Sequence, residues 1–212
     1  MRPYYLNTII NMKTQLILGS TSPFRKELLQ RLSIPFTTDS PNIDETPLKN
    51  ESPEDYVLRL SLEKARAVAK QHPNALIIGS DQCSVLNGII RGKPGNHENA
   101  MQQLRESSSE RVSFLTGLCL YDSKTDEYQL DLIPFYVDFR KLTDTEIDAY
   151  LKADQPYECA GSFKSEGLGM SLFKRLHGDD PTALIGLPLI RLSEMLRKKG
   201  VDIPARISTR PK

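Results

Sequence analysis

The chain has 212 residues, 39% of them hydrophobic, with 28 basic against 27 acidic side chains and a net charge of +1. That length suits one domain, or one domain of two lobes, and the even charge excludes a global field for gripping nucleic acid or an anionic membrane. Its three cysteines, Cys83, Cys119 and Cys159, are scattered without a Cys-x-x-Cys pair, which argues against a disulfide frame or zinc site and for reduced thiols in a cytoplasmic protein, and no apolar run approaches the ~20 residues that span a bilayer.

Residues 1–12 lack the apolar core and small-residue cleavage site of a secretory signal. Met12-Lys13 looks like a second start, so this segment reads as an extension or a mis-assigned start ahead of a domain over residues 13–205. Gln15–Gly19 is a buried-strand pattern that runs into Ser20-Thr21-Ser22-Pro23-Phe24-Arg25. Pro23 suits the first helical position and Ser22 the cap of a helix over Pro23–Leu32. The hydroxyls of Ser20, Thr21 and Ser22, free backbone N–H groups and the Arg25 guanidinium would converge on one spot suited to phosphate. The plainer alternative is a capped helix whose Arg25 is solvated.

Residues 35–50 read as irregular and carry Asp39, Asp44 and Glu45. Ser52-Pro53-Glu54-Asp55 opens a helix to about Gln71. At ~100° per residue, Lys64 falls inside the apolar sector of Leu60, Val57 and Val68. It either snorkels out along its stem or holds its ammonium in a partly desolvated cleft. Ala75–Gly79 is an unbroken apolar run that suits a central strand, ending in Ser80-Asp81-Gln82. Asn87-Gly88 turns a hairpin over Val85–Ile90. A helix is expected over residues 96–107, then strands over Val112–Tyr121 and Tyr128–Arg140. Thr143 to Glu146 is a capping box for a helix to about Lys152. Residues 156–182 are loop-rich, a helix over Leu187–Lys199 stops at Gly200, and residues 206–212 form a tail. Early alternation of strand and helix around a central antiparallel pair implies an α/β protein with a mixed sheet.

The ordered motifs are more specific than any one of them. Ser20-Thr21-Ser22-Pro23-Phe24-Arg25, Asp44-Glu45-Thr46-Pro47, Lys64-Ala65, Gly79-Ser80-Asp81-Gln82, Gly92-Lys93-Pro94, Thr116-Gly117, the run Ala160 to Gly167, and Ile185-Gly186-Leu187-Pro188 follow one another without large gaps. Over roughly Lys13 to Gly200 the sequence resembles the Maf family of nucleotide pyrophosphatases. The resemblance implies a long curved mixed β-sheet with two α/β lobes and a central cleft, like that of inosine triphosphate pyrophosphatases. It also implies hydrolysis of a nucleoside triphosphate to a monophosphate and pyrophosphate.

That chemistry needs cations on the phosphates, a divalent metal held by carboxylates, and a base for the water. Ser20, Ser22, Arg25, Lys64 and Lys93 are the candidate phosphate ligands. Glu45 and Asp81 can hold Mg²⁺ or Mn²⁺, the expected cofactor. Asp81, just past a buried strand, can accept a proton from the attacking water or orient a metal-bound one; the alternative is a turn-forming Asp. Asp44 and Glu45, as neighbours in extended chain, point to opposite sides, and the resemblance selects Glu45. The chain has no Walker A pattern, no G-x-S-x-G elbow and no metal-type His pair. Cys83 reads as a small packing residue and His72, His97 and His177 as surface residues.

Three further positions bear on the base. Phe24, Gln82 and Glu166 resemble the subgroup of the family that acts on 7-methyl-GTP. N7-methylation leaves the purine cationic, an aromatic face attracts it by ~0.5–2 kcal/mol, and a carboxylate accepts from the guanine N1–H and amine edge. Phe24 stands where Trp is common, and Phe is the weaker partner. The plainer alternatives are Phe24 as core and Glu166 as a surface charge. A small nucleotide is thus the expected ligand, with a homodimer entertained and neither membrane nor nucleic acid expected as a partner. The competing readings are a nucleotide- or nucleic-acid-binding regulator of cell division without turnover, and an enzyme of the same kind acting on other non-standard or pyrimidine nucleotides.

Overall fold

The computed structural model describes residues 14–204; the expected extension over 1–12, the tail over 206–212 and the outermost residues of the 13–205 domain lie outside the described residues. In chain order the elements are β1 (Gln15–Gly19), α1 (Pro23–Gln30), β2 (Thr37–Asp39), α2 (Pro53–Ala69), β3 (Ala75–Leu86), β4 (Ile89–Arg91), α3 (His97–Ser107), β5 (Arg111–Asp122), β6 (Glu127–Phe139), α4 (Asp144–Asp154), β7 (Phe173–His177) and α5 (Leu189–Lys198). The strands form one seven-stranded mixed sheet in the order β2-β1-β3-β5-β6-β7, with β4 also on β3. β1 runs parallel to β2 and β3, while β3, β5 and β6 are antiparallel neighbours.

Side chains alternate between faces along a strand, and the pattern on β3 and β5 divides the molecule. On one face, Leu76 and Ile78 of β3 and Leu118 and Leu120 of β5 pack with α1 and α5. Farther along the same face, Leu86, Val112 and Phe114 pack with α3 and α4. Between these two cores lies a polar belt of Ser80, Ser84 and Thr116, all fully buried. The other face belongs to α2, whose Ala65 and Val68 meet Ile17, Ile77 and Cys119, and whose Val57 meets Cys83, Val85 and Leu115. Two glycines let α2 lie directly on the strands. A Cβ on Gly79 would stand 2.1 Å from the Ser61 carbonyl oxygen, and one on Gly117 2.3 Å from that of Val57.

Two strands and one strand end differ from the sequence expectation. β2 falls within residues expected to be irregular and β7 within those expected to be loop. The central strand does not stop at Gly79. It continues through Ser80-Asp81-Gln82 to Leu86, because β5 pairs with it from Leu76 to Val85 without a break. Asp81 is therefore not a turn residue. The histidines are half-buried rather than free on the surface: His72 meets Asp39, His97 meets Asp148 and His177 meets Asp138.

Candidate active site

The position of Asp81 follows from how β3 shares its edges. One edge is taken by β5. On the other, β1 pairs with Ala75 to Ile78 and β4 with Ser84 to Leu86. The edge from Gly79 to Cys83 is left open between them. Asp81 and Gln82 point to opposite faces of the sheet, yet both reach one cleft through this gap. The cleft has a volume of about 690 Å³ and is lined by all ten candidate residues: Ser20, Ser22, Phe24, Arg25, Glu45, Lys64, Asp81, Gln82, Lys93 and Glu166. That size is within the ordinary range for small-molecule sites.

On the α2 side a lysine joins two carboxylates. Lys64 Nζ lies 2.5 Å from Asp81 Oδ1 and 2.8 Å from Glu45 Oε1. Its side chain is 7% exposed and that of Glu45 55%, so the lysine does not snorkel to the surface. The Asp81 backbone N–H donates to Ser61 Oγ (2.9 Å), whose hydroxyl donates to the Val57 carbonyl (2.6 Å). This ties the β3 backbone to α2 beside the ion pair. Of the adjacent acids, Glu45 faces the cleft, while Asp44 Oδ1 accepts from the Thr46 N–H and hydroxyl at 2.9 and 2.6 Å. Those bonds hold the Asp44 carboxyl below its usual range.

Across the gap, the start of α1 is built as the sequence suggested. Ser22 Oγ accepts from the Arg25 N–H, and Ser20 Oγ from the Ser22 N–H. Arg25 Nε donates to the Gly186 carbonyl at 2.8 Å. Burial lowers the guanidinium's pKa, with Asp81 and Glu45 acting against that; an arginine keeps its charge through such a shift. Gln82 is held more firmly than the sequence implied. Its Nε2 donates to the carbonyls of Ala183 (2.6 Å) and Leu184 (3.2 Å) and lies 3.1 Å from Thr116 Oγ1. The side-chain oxygen is the part of Gln82 left to meet a ligand.

The rim is looser. Lys93, 64% exposed, lies 3.7 Å from Glu158. Glu166 is exposed beside Ser165, and Phe24 is half-buried. Burial, with Asp81 and Glu54 nearby, pushes the Cys83 thiol up to about 12, so it stays protonated and is no nucleophile at neutral pH.

Two contributors escaped the sequence. The Tyr56 hydroxyl donates to the Glu45 carbonyl (3.1 Å), and burial, then Asp81 and Glu45, pushes its pKa up to about 12. Its spacing of two helical turns from Lys64 was the available signal. The turn over residues 181–186 supplies the carbonyls that hold Arg25 and Gln82, and backbone acceptors leave no mark in residue types. Among the described residues no group of three or more His, Cys, Asp or Glu side chains is placed to hold a metal ion, and no helix is long and apolar enough to cross a membrane.

The chain is 55% identical over 197 residues to a protein of Colwellia psychrerythraea named 7-methyl-GTP pyrophosphatase, covering 93% of this chain and 98% of that protein. Proteins of the same name from Pseudomonas savastanoi pv. phaseolicola and Pseudoalteromonas translucida are 56% and 54% identical, covering 89% and 94% of this chain and 98% and 99% of theirs. The Staphylococcus aureus Ham1 protein superposes with a TM-score of 0.43 at 13% identity over 59% of this chain and 72% of its own, a likeness too loose to carry an argument. The model of the Maf-like protein family matches residues 15–199, and the chain belongs to that family.

Proposed function

We propose that this protein hydrolyses 7-methyl-GTP to 7-methyl-GMP and pyrophosphate, with one water consumed. Its enzyme class is a hydrolase acting on a phosphorus anhydride, in keeping with relatives at 54–56% identity that are named pyrophosphatases. The observation that carries the reading is Asp81: a buried carboxylate opened to the cleft by the gap in the sheet, with Lys64 on one side and Arg25 across the cleft.

Lys64 takes Asp81 Oδ1, leaving the second oxygen to accept a proton from the attacking water. Arg25 and Lys93 hold the phosphates of the bound nucleotide, and Lys64, beside Asp81, meets the charge that develops in the transition state, which a fixed cation stabilises best. The hydroxyls of Ser20 and Ser22, already accepting from backbone N–H groups, have their own protons to give to phosphate oxygens. Phe24 offers a face to the cationic purine, and Glu166 an acceptor for its N1–H and amine edge.

The donor set fits a divalent ion. Asp81 and Glu45 already meet at a cation, the Lys64 ammonium. Two carboxylates completed by phosphate oxygens and water are how Mg²⁺ is ordinarily held beside a nucleotide. Asp81 and Glu45 would hold the ion, which when bound supplies charge neutralisation at the phosphates.

The test is a panel of 7-methyl-GTP, GTP, UTP and dTTP with Mg²⁺, assayed for pyrophosphate. The expected result is release from 7-methyl-GTP above all others, abolished by chelation. Binding of 7-methyl-GTP without any pyrophosphate would overturn the reading in favour of a regulator without turnover.

A further inference from the structure

Asp180 does not line the cleft, yet its carboxylate accepts four hydrogen bonds beside it. It is 2% exposed. Its Oδ1 accepts from the Thr182 N–H (3.0 Å) and hydroxyl (2.6 Å), and its Oδ2 from the N–H groups of Ile190 (2.8 Å) and Arg191 (3.4 Å). The last two are orphan donors in the first turn of α5. The residue before that helix is Pro188, which makes no side-chain cap, so Asp180 caps α5 from upstream, ten residues before Ile190. Thr182 Oγ1 in turn accepts from the Leu189 N–H at 2.8 Å. One carboxylate and one hydroxyl thus close the chain over residues 180–191 onto itself.

The outward side of that closed segment is what the site uses. Its Gly186 carbonyl accepts from Arg25 Nε (2.8 Å) and Ser80 Oγ (3.1 Å). Its Ala183 carbonyl accepts from Gln82 Nε2 (2.6 Å) and Thr116 Oγ1 (3.0 Å). The segment sits on the polar belt between the two cores, where the sheet offers hydroxyls instead of apolar side chains. Ser80 and Thr116 of the belt, with Arg25 and Gln82, bond the turn's carbonyls while Ala183 and Leu184 pack into the two apolar cores, so the position of the 181–186 turn bears on where Arg25 and Gln82 point.

We infer that Asp180 is a positioning residue for nucleotide binding, acting through the 181–186 turn on Arg25 and Gln82 and not on the Asp81 side of the sheet. The inference rests on the proposed function. Lys64 and Asp81 stand on α2 and β3 and Glu45 is paired with Lys64, and none of the side-chain hydrogen bonds of Asp180 reaches these three. Loosening the turn therefore weakens substrate binding while leaving the hydrolytic step intact.

Asp180→Asn keeps shape but turns an amide N–H toward backbone donors. Thr182→Val removes the hydroxyl at constant shape, and Thr182→Ser restores it. Steady-state kinetics with 7-methyl-GTP should show KM raised roughly tenfold in Asp180→Asn and Thr182→Val, the scale of a lost buried hydrogen bond. kcat should stay within about threefold, and Thr182→Ser should match the wild type. Unchanged KM in folded Asp180→Asn, or a fall in kcat at constant KM, overturns the inference by showing a merely structural role. If Asp180→Asn does not fold, Thr182→Val against Thr182→Ser decides by the same criterion. If the wild type releases no pyrophosphate, the proposed function fails on its own. The variants are then compared for 7-methyl-GTP affinity by calorimetry, where an unchanged Kd overturns the inference and a roughly tenfold weaker Kd supports it.

Discussion

Lys64 is buried on α2 beside Leu60, Val57 and Val68. A lysine within the apolar sector of a helix has few destinations, and here it ends at 7% side-chain exposure against Asp81 and Glu45. Its ammonium serves the cleft. Gln82 is the contrasting case. The sequence marked it as a base reader, but its amide nitrogen is bonded to the Ala183 and Leu184 carbonyls, a pairing invisible from residue types 101 positions apart. Phe24 and Glu166 carry no such commitments, so base selection should rest chiefly on them. Phe24→Ala removes a stacking face, and Glu166→Gln removes the charge and half of the acceptor capacity. Each should narrow the preference for 7-methyl-GTP over GTP by ~1–2 kcal/mol in kcat/KM. Parallel assays of both nucleotides check this, and an unchanged ratio would remove these residues from the base pocket.

At the scale of elements, what was legible was what has a buried periodic face. α2, β5, β6 and the capping box of α4 lie close to where pattern put them. β2 is three residues long with no buried position, and β7 alternates nothing apolar with polar along its length. Both are defined by the strands they pair with, which a single sequence does not display. The contact of α2 with the sheet is the most demanding in the fold. A Cβ at Gly79 would meet backbone atoms of Ser61 and Ala65 at 2.1 and 2.9 Å, and a helix backbone cannot swing aside as a side chain does. Gly79→Ala should lower unfolding stability by about 2–3 kcal/mol or more, measured by denaturant titration. Because α2 carries Lys64, the folded fraction should also lose activity. A wild-type unfolding midpoint would show that α2 does not press on β3.

For the whole molecule, the sheet is both scaffold and aperture. Two apolar cores occupy opposite ends of one face, with Ser80, Ser84 and Thr116 between them. In the sequence that belt is the change from Leu76-Ile77-Ile78 to Ser80-Asp81-Gln82, a pattern that by itself reads as the end of a strand. The gap on the β3 edge could not be read at all, since it exists only because β1 stops at one side of it and β4 begins at the other. Under the proposed function, this gap presents Asp81 to the water that cleaves a nucleoside triphosphate. The most direct measurement is pyrophosphate release from 7-methyl-GTP by wild type and Asp81→Asn, with matched circular dichroism and thermal unfolding. A folded variant slowed by ~10²-fold or more is expected, the scale of a lost general base. A folded Asp81→Asn that releases pyrophosphate at the wild-type rate would contradict it.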